Sequence, residues 1–189
     1  MNAAIRESCR ANTVEEAEAY AVKMGVQSAD YGSHLMIGNM LNEVMTQLHE
    51  RGLPVFEHIF VRPEFFAEYE EDRYDIVAKV EDKVVKINPQ AKVFIDPAKS
   101  AKILYDTDFW STPHPLHALY HEAGHLLLSH EEKPQPLLPR QVTMASAVSR
   151  YAQMNQEEFV SEVFAGLMCG VKYDKDILGL YSRLGGKKP

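Results

Sequence analysis

The sequence contains little cysteine: among its 189 residues only Cys9 and Cys169 carry a thiol. Two cysteines near opposite ends of a chain can form at most one bridge, which excludes a disulfide-rich scaffold. We therefore expect both to be free thiols in a reducing compartment, or small buried apolar side chains.

Long apolar runs are also absent. No uncharged apolar stretch approaches the roughly 18 residues of a membrane-spanning helix, so no membrane partner is expected. Residues 1–10 contain no apolar core of the kind found in secretory signal peptides, which predicts synthesis in the cytoplasm. Later delivery by an injection system or a virus particle is compatible with such a sequence.

Basic clusters are missing as well. The chain has 20 lysine and arginine residues against 27 aspartate and glutamate residues, a formal net charge of −7. Nucleic acids and anionic membranes are bound by basic surfaces, so neither is expected as a partner. With 46% hydrophobic residues the chain is long enough for one buried core, and we predict a single domain over residues 1–189.

Residues 1–110 predict helices followed by a small mixed sheet. Thr13-Val14-Glu15-Glu16 is a capping box that begins a helix ending near Gly25. A second helix is predicted over 33–51, with an apolar stripe formed by Ile37, Leu41, Val44 and Leu48. Residues that favour strands occur at 55–61, 74–80 and 83–87, with a shorter candidate at 92–95.

Residues 111–189 are predicted to be mainly helical, which makes the whole chain α+β. Ser111-Thr112-Pro113 is a hydroxyl cap followed by proline, which is typical of a helix start. The prolines of 133–139 predict a loop there, a candidate cleft wall. Further helices are predicted over 156–168 and 174–184.

The residues His121-Glu122-Ala123-Gly124-His125 form the pattern H-E-x-x-H. Histidines four residues apart lie on one face of a helix, so both rings can bind one zinc ion at about 2.0–2.1 Å. Glu122 projects beside that face, where it can take a proton from a zinc-bound water. The apolar residues around the motif recur at helical spacing: Leu116, Leu119, Tyr120, Ala123, Leu126 and Leu127.

A catalytic zinc ion needs a third protein ligand, with its fourth position left for water. Leu128 and Glu131 stand where a histidine-rich extension of the motif would need glycine and histidine, so that pattern is excluded. His130 would point about 140° away from the metal-binding face of the helix. His117 lies one turn earlier on that face, and we give it a structural or cleft-lining role.

The acidic helix predicted from residue 156 offers the remaining candidates. Glu158 and Glu162 are four residues apart on one face, so one can bind the metal while the other orients a ligand. A metal-bound histidine normally donates its other ring nitrogen to a carboxylate or carbonyl, which makes Glu162 a candidate for that hydrogen bond. Without the histidine motif, the same charges would be interpreted as a solvated patch.

These residues also resemble a known family. The pattern Y-A-x-x-N-x-x-E-F-x-x-E-x-F over residues 151–164, placed after H-E-x-G-H, resembles the gluzincin metallopeptidases related to the catalytic domain of anthrax lethal factor. Similar small zincin domains are found in phage proteins and bacterial effectors. The resemblance covers about residues 111–168 and implies a zincin-like metallopeptidase fold.

The resemblance also implies individual roles. It implies that His121, His125 and Glu158 bind zinc and that Glu122 is the general base. It also implies that Glu162 is hydrogen-bonded to one of the ligands. Tyr151 would donate a hydrogen bond or a proton in the transition state. The spacing to Tyr151 and Phe159 favours Glu158 over the adjacent Glu157. Physically, a phenol near a metal can stabilise an oxyanion, whereas the alternative role of Tyr151 is that of a packed aromatic side chain.

The expected function is that of a zinc metallopeptidase acting on peptide or protein substrates. Zinc would polarise the scissile carbonyl and lower the pKa of its water to about 7, and Glu122 would move the proton. An extended substrate would pair with an exposed strand edge, at 83–87 or 92–95. The alternative is a zinc-binding structural or interaction component, for example of a phage particle or a delivered effector, with little or no peptidase activity. A base beside an open metal position distinguishes the enzyme from a closed structural site.

Overall fold

The computed structural model describes residues 5–128 and 135–189, without the side chains of residues 70–73. The described chain divides after Pro97 into two compact units. The first contains the strands and the second is helical, which agrees with the α+β prediction; the single zincin-like domain stays a prediction. Both cysteines are free, as predicted. No helix among the described residues has the length and apolar character needed to cross a membrane.

The first unit begins with the two predicted helices. Helix α1 is Val14–Lys23, and the Thr13 hydroxyl accepts a hydrogen bond from the Glu16 main chain at 3.2 Å. The Glu16 carboxylate accepts from the main chain of Asn12 rather than that of Thr13, so the capping box is displaced by one residue. Helix α2 is Leu35–Glu50, and its predicted apolar stripe is fully buried.

A four-stranded mixed sheet completes the first unit. Its strands are β1 Ser28–Asp30, β2 His58–Val61, β3 Ala78–Glu81 and β4 Val84–Ile87, in the order β1-β2-β4-β3. Strands β1, β2 and β4 are parallel, whereas β3 runs antiparallel to β4. Asp82 and Lys83 have φ angles of 46° and 68°, the left-handed values that a tight two-residue hairpin turn requires.

The two strand edges that were predicted to pair with an extended substrate are wrong. Strand β4 pairs with β2 on one side and β3 on the other, so 83–87 has no exposed edge. Lys92–Phe94 is a 3-10 helix, because the chain turns at Asn88 and again at Ala91, whose carbonyl accepts from the Phe94 main chain at 2.9 Å. The edge strand β1 was not predicted, and neither was the 3-10 helix Pro63–Tyr74.

In the part of the second unit that the structure describes, most of α3 is followed by four further helices. The helices are α3 Pro97–Asp106, α4 His117–Leu126, α5 Pro139–Ala145, α6 Gln156–Met168 and α7 Lys175–Arg183, with a 3-10 turn at Tyr151–Gln153. Helix α6 has its predicted bounds, since Asn155 caps it by accepting from the Glu158 main chain at 2.9 Å. Helix α7 is capped by Asp174, close to its predicted start.

Two local predictions in the second unit are wrong, and one further helix was not predicted. Helix α4 begins at His117 and not at Ser111-Thr112-Pro113, and helix α3 was not predicted. Helix α5 begins at Pro139, inside the predicted loop, because proline fits the first position of a helix. Residues 135–138 are irregular as predicted, and 133–134 lie outside the described residues.

Helices α4 and α6 lie against each other at Gly124. A Cβ atom at this position would lie only 2.6 Å from the Ser161 Cα, so a larger residue cannot fit without separating the helices. The close approach brings the histidine-bearing face of α4 to the glutamate-bearing face of α6.

Candidate metal centre

Three donor atoms from α4 and α6 converge in the second unit. The Nε2 atoms of His121 and His125 are 3.1 Å apart, and Glu158 Oε2 lies 2.9 Å and 3.5 Å from them. A tetrahedral ion with bonds of about 2.0–2.1 Å holds its ligand atoms about 3.3 Å apart, close to these separations. The predicted convergence of these three residues is therefore present, and the group could hold a metal ion.

Glu158 Oε2 provides a second indication. Although 2.9 Å is a hydrogen-bond length, the approach to His121 does not have hydrogen-bond geometry, and this buried oxygen has no hydrogen-bond partner among residues 5–128 and 135–189. Burying a carboxylate oxygen without a hydrogen bond is unfavourable even beside two imidazoles, whereas coordination to a cation would satisfy it. The donor set of two imidazoles and one carboxylate thus fits a cation.

The pKa values of His121 and Glu158 shift in opposite directions. Burial lowers the pKa of His121, but the carboxylates of Glu158 and Glu162 outweigh burial and raise it to about 10. Burial raises the pKa of Glu158, but the close imidazoles of His121 and His125 bring it down to about 2. The ionised carboxylate favours a cation at the centre, and a metal ion bound there would replace imidazole protons.

Glu162 accepts four hydrogen bonds, one of which comes from His121. Its Oε1 accepts hydrogen bonds from His117 Nε2 and His121 Nδ1, and its Oε2 accepts from the Ser111 main chain and the Ser149 hydroxyl, all at 2.9 Å. Burial would raise the pKa of Glu162, but His117 and His121 hold it well below its usual range. Because His121 Nδ1 donates to Glu162, a metal ion that replaced the Nε2 proton would find the Nε2 lone pair directed at the centre.

His117, His121 and Glu162 form a second group that could hold an ion. Glu162 already accepts four hydrogen bonds there, so an ion would have to displace the bonds from both histidines. His117 is fully buried and stacks on Trp110 with ring centroids 4.4 Å apart, which agrees with the structural role expected for it. We therefore interpret His117, His121 and Glu162 as a hydrogen-bonded group that holds His121 in place, and not as a second metal site.

Glu122 and Tyr151 lie next to the converging donors. Glu122 is half-buried, and burial raises its pKa although His125 and His121 act in the opposite direction. The Tyr151 ring stacks on His121 and on Phe109, each with centroids 5.1 Å apart. Burial and the nearby carboxylates raise the pKa of Tyr151 well above its usual value, so its hydroxyl stays protonated as a donor.

The supporting residues were only partly predictable. Ser111 was interpreted as a helix cap, and Ser149 carries no local pattern that would identify it, so the contacts of both with Glu162 were missed. Of the two adjacent acidic residues, Glu158 and not Glu157 joins the group of donors. His130 lies outside the described residues.

The resemblance to gluzincins rests on the sequence pattern and stays a prediction. No protein-family model, curated protein or solved structure matches the chain.

Proposed function

We propose that this protein is a zinc metallopeptidase of the gluzincin type, acting on peptide or protein substrates. The observation that carries the proposal is the convergence of His121 Nε2, His125 Nε2 and Glu158 Oε2, with Glu122 on the same helix beside them. Two histidines and one glutamate are the ligand set of one class of catalytic zinc site. Imidazole also suits iron, copper and nickel, so zinc itself is part of the proposal.

The proposed chemistry assigns one task to each residue. Bound zinc supplies Lewis acidity, polarising a carbonyl and making water more acidic. Glu122 takes the proton from the attacking water and delivers it to the departing amine. The Tyr151 hydroxyl donates to the oxygen that becomes negatively charged, and Glu162 holds the ring of His121 in orientation.

The direct test combines metal analysis with digestion of an unbiased peptide library. Purified protein should contain about one zinc per chain, cleave peptides, lose cleavage after chelation and regain it when zinc is returned. Protein that contains no metal and binds none on titration would contradict the metal centre. Stoichiometric zinc without cleavage of any peptide would instead favour the structural or interaction component.

A further inference from the structure

The buried hydroxyl of Ser149 contacts both the Glu162 carboxylate and the turn that carries Tyr151. Its Oγ donates to Glu162 Oε2 at 2.9 Å and accepts from the Ala152 main-chain N–H at 3.0 Å. The residue is only 3% exposed, so water cannot readily take over these contacts. With one donor and one acceptor contact made, the hydroxyl has a defined orientation.

These hydrogen bonds complete a closed ring of contacts. Ala152 follows Tyr151 in the same 3-10 turn, and the Tyr151 ring stacks on His121 with centroids 5.1 Å apart. His121 Nδ1 in turn donates to Glu162 Oε1 at 2.9 Å. The orientation of the His121 ring is therefore constrained from its Nδ1 edge and from its face, and Ser149 connects the two constraints.

We propose that Ser149 is a positioning residue of the metal centre. Its hydroxyl keeps the Glu162 carboxylate aligned with His121 and holds the turn that carries Tyr151 against the same ring. Ser149 need not touch metal or substrate for this role. Its expected effect on hydrolysis rests on the proposed peptidase function, whereas its expected effect on metal affinity does not.

Ser111 offers a matched comparison. Its hydroxyl donates to the main-chain carbonyl of Glu162 at 2.9 Å, while its main-chain N–H donates to the carboxylate. Ser111→Ala therefore removes a buried hydroxyl hydrogen bond of the same length to the same residue, but leaves every donor to the carboxylate in place. Ser149→Ala removes a carboxylate donor and also leaves the Ala152 N–H without this acceptor.

The test measures the zinc dissociation constant of the full chain by chelator competition, together with the absorption spectrum of the cobalt-substituted protein. Ser149→Ala should weaken zinc binding about 10-fold, the lower end of the scale for losing a group that orients a ligand, because Glu162 keeps three other donors, and should alter the cobalt spectrum. Ser111→Ala should weaken zinc binding much less. Ser149→Thr, which keeps the hydroxyl, should recover most of the affinity.

Activity separates this inference from the proposed function. If the parent cleaves peptides, Ser149→Ala should lower kcat more than it changes KM, and this loss should shrink in a Tyr151→Phe background because the two changes act on one turn. Equal loss of zinc affinity in Ser149→Ala and Ser111→Ala would overturn the positioning role. If the parent cleaves no peptide but Ser149→Ala still loses zinc affinity selectively, the positioning role is supported and the peptidase proposal is contradicted.

Discussion

Glu122 and Glu158 are two carboxylates beside the same histidines, yet their pKa values move in opposite directions. Burial raises the pKa of both, but His121 and His125 bring that of Glu158 down to about 2, whereas that of Glu122 stays raised. Environments that separate two carboxylates in this way commonly assign them different tasks. An ionised Glu158 suits a metal ligand, and a more basic Glu122 suits proton transfer.

We expect Glu122→Gln to keep zinc and lose hydrolysis, because it removes the proposed base and none of the proposed ligands. Glu158→Gln should instead lose most of the zinc, because a neutral amide is a poorer ligand than a carboxylate. Glu157→Gln is the control, since this neighbour does not join the donors. Zinc content and peptide cleavage are measured on the same samples. Parental activity in Glu122→Gln would contradict its role as base.

Tyr151→Phe tests the Tyr151 hydroxyl separately from its ring. The ring should still stack on His121 and Phe109, so fold and zinc content are expected to stay near those of the parent. Loss of one transition-state donor should lower kcat by about 10²–10³, with little change in KM. Steady-state kinetics on a cleaved peptide measure both constants. An unchanged kcat would leave Tyr151 as a packing residue.

Helices α4 and α6 are the elements on which the centre depends, and Gly124 sets their separation. Gly124→Ala would place a methyl group 2.6 Å from the Ser161 backbone. We expect a loss of about 1–3 kcal/mol in the free energy of unfolding, as for other overpacked sites, and weaker zinc binding because the histidines move away from Glu158.

Gly179→Ala is the matched control for this change. It lies inside α7, and among the described residues its added Cβ would meet only the flexible end of Arg183 at 3.6 Å. Alanine there should stabilise the protein by about 0.4–1 kcal/mol without changing zinc affinity. Urea unfolding and zinc titration of both variants make the comparison. Gly124→Ala with parental stability and affinity would show that the helices can separate without cost.

For the whole molecule, zinc should stabilise the folded protein because the centre exists only when α4 and α6 are packed together. Free zinc at about 100 times its dissociation constant should add about 2.7 kcal/mol to the free energy of unfolding. His125→Ala should abolish this increment, whereas His49→Ala, an exposed histidine in α2, should retain it. Thermal unfolding with zinc and with chelator measures the increment, and a parental increment in His125→Ala would exclude the assigned site.

Acid stability should depend on Glu43 in the first unit. Burial would raise the pKa of Glu43, but hydrogen bonds from Gln47, the Arg6 main chain and Cys9, together with the Arg6 charge, hold it below its ordinary value. The stabilisation is therefore present above the unfolded pKa of about 4.3 and is lost as the pH falls through the lower folded value.

Glu43→Gln should flatten the dependence of stability on pH in this acidic range, as measured by urea unfolding from about pH 5 to 3. Glu50→Gln is the control, because the Glu50 side chain is 51% exposed and its pairing with Arg6 is weakened by solvent. Equal flattening by both substitutions would contradict a special role for the buried carboxylate.

The sequence by itself determined the features that depend on interactions within one or two helical turns. The bounds of α6 and the shared face of His121 and His125 both follow from neighbours a few residues apart. The buried stripe of α2 was likewise visible as a periodic pattern. Such signals are local, because a helix hydrogen-bonds to itself.

Only the tertiary structure decided which distant groups meet. Ser111 is 51 residues from Glu162, and its main-chain N–H contacts the carboxylate because packing of the second unit brings them together. In the same way, the central place of β4 depends on pairing with β2, far away in the chain. A short apolar run has the same pattern in an edge strand, a central strand or a 3-10 turn, so its partners and not its own residues select among them.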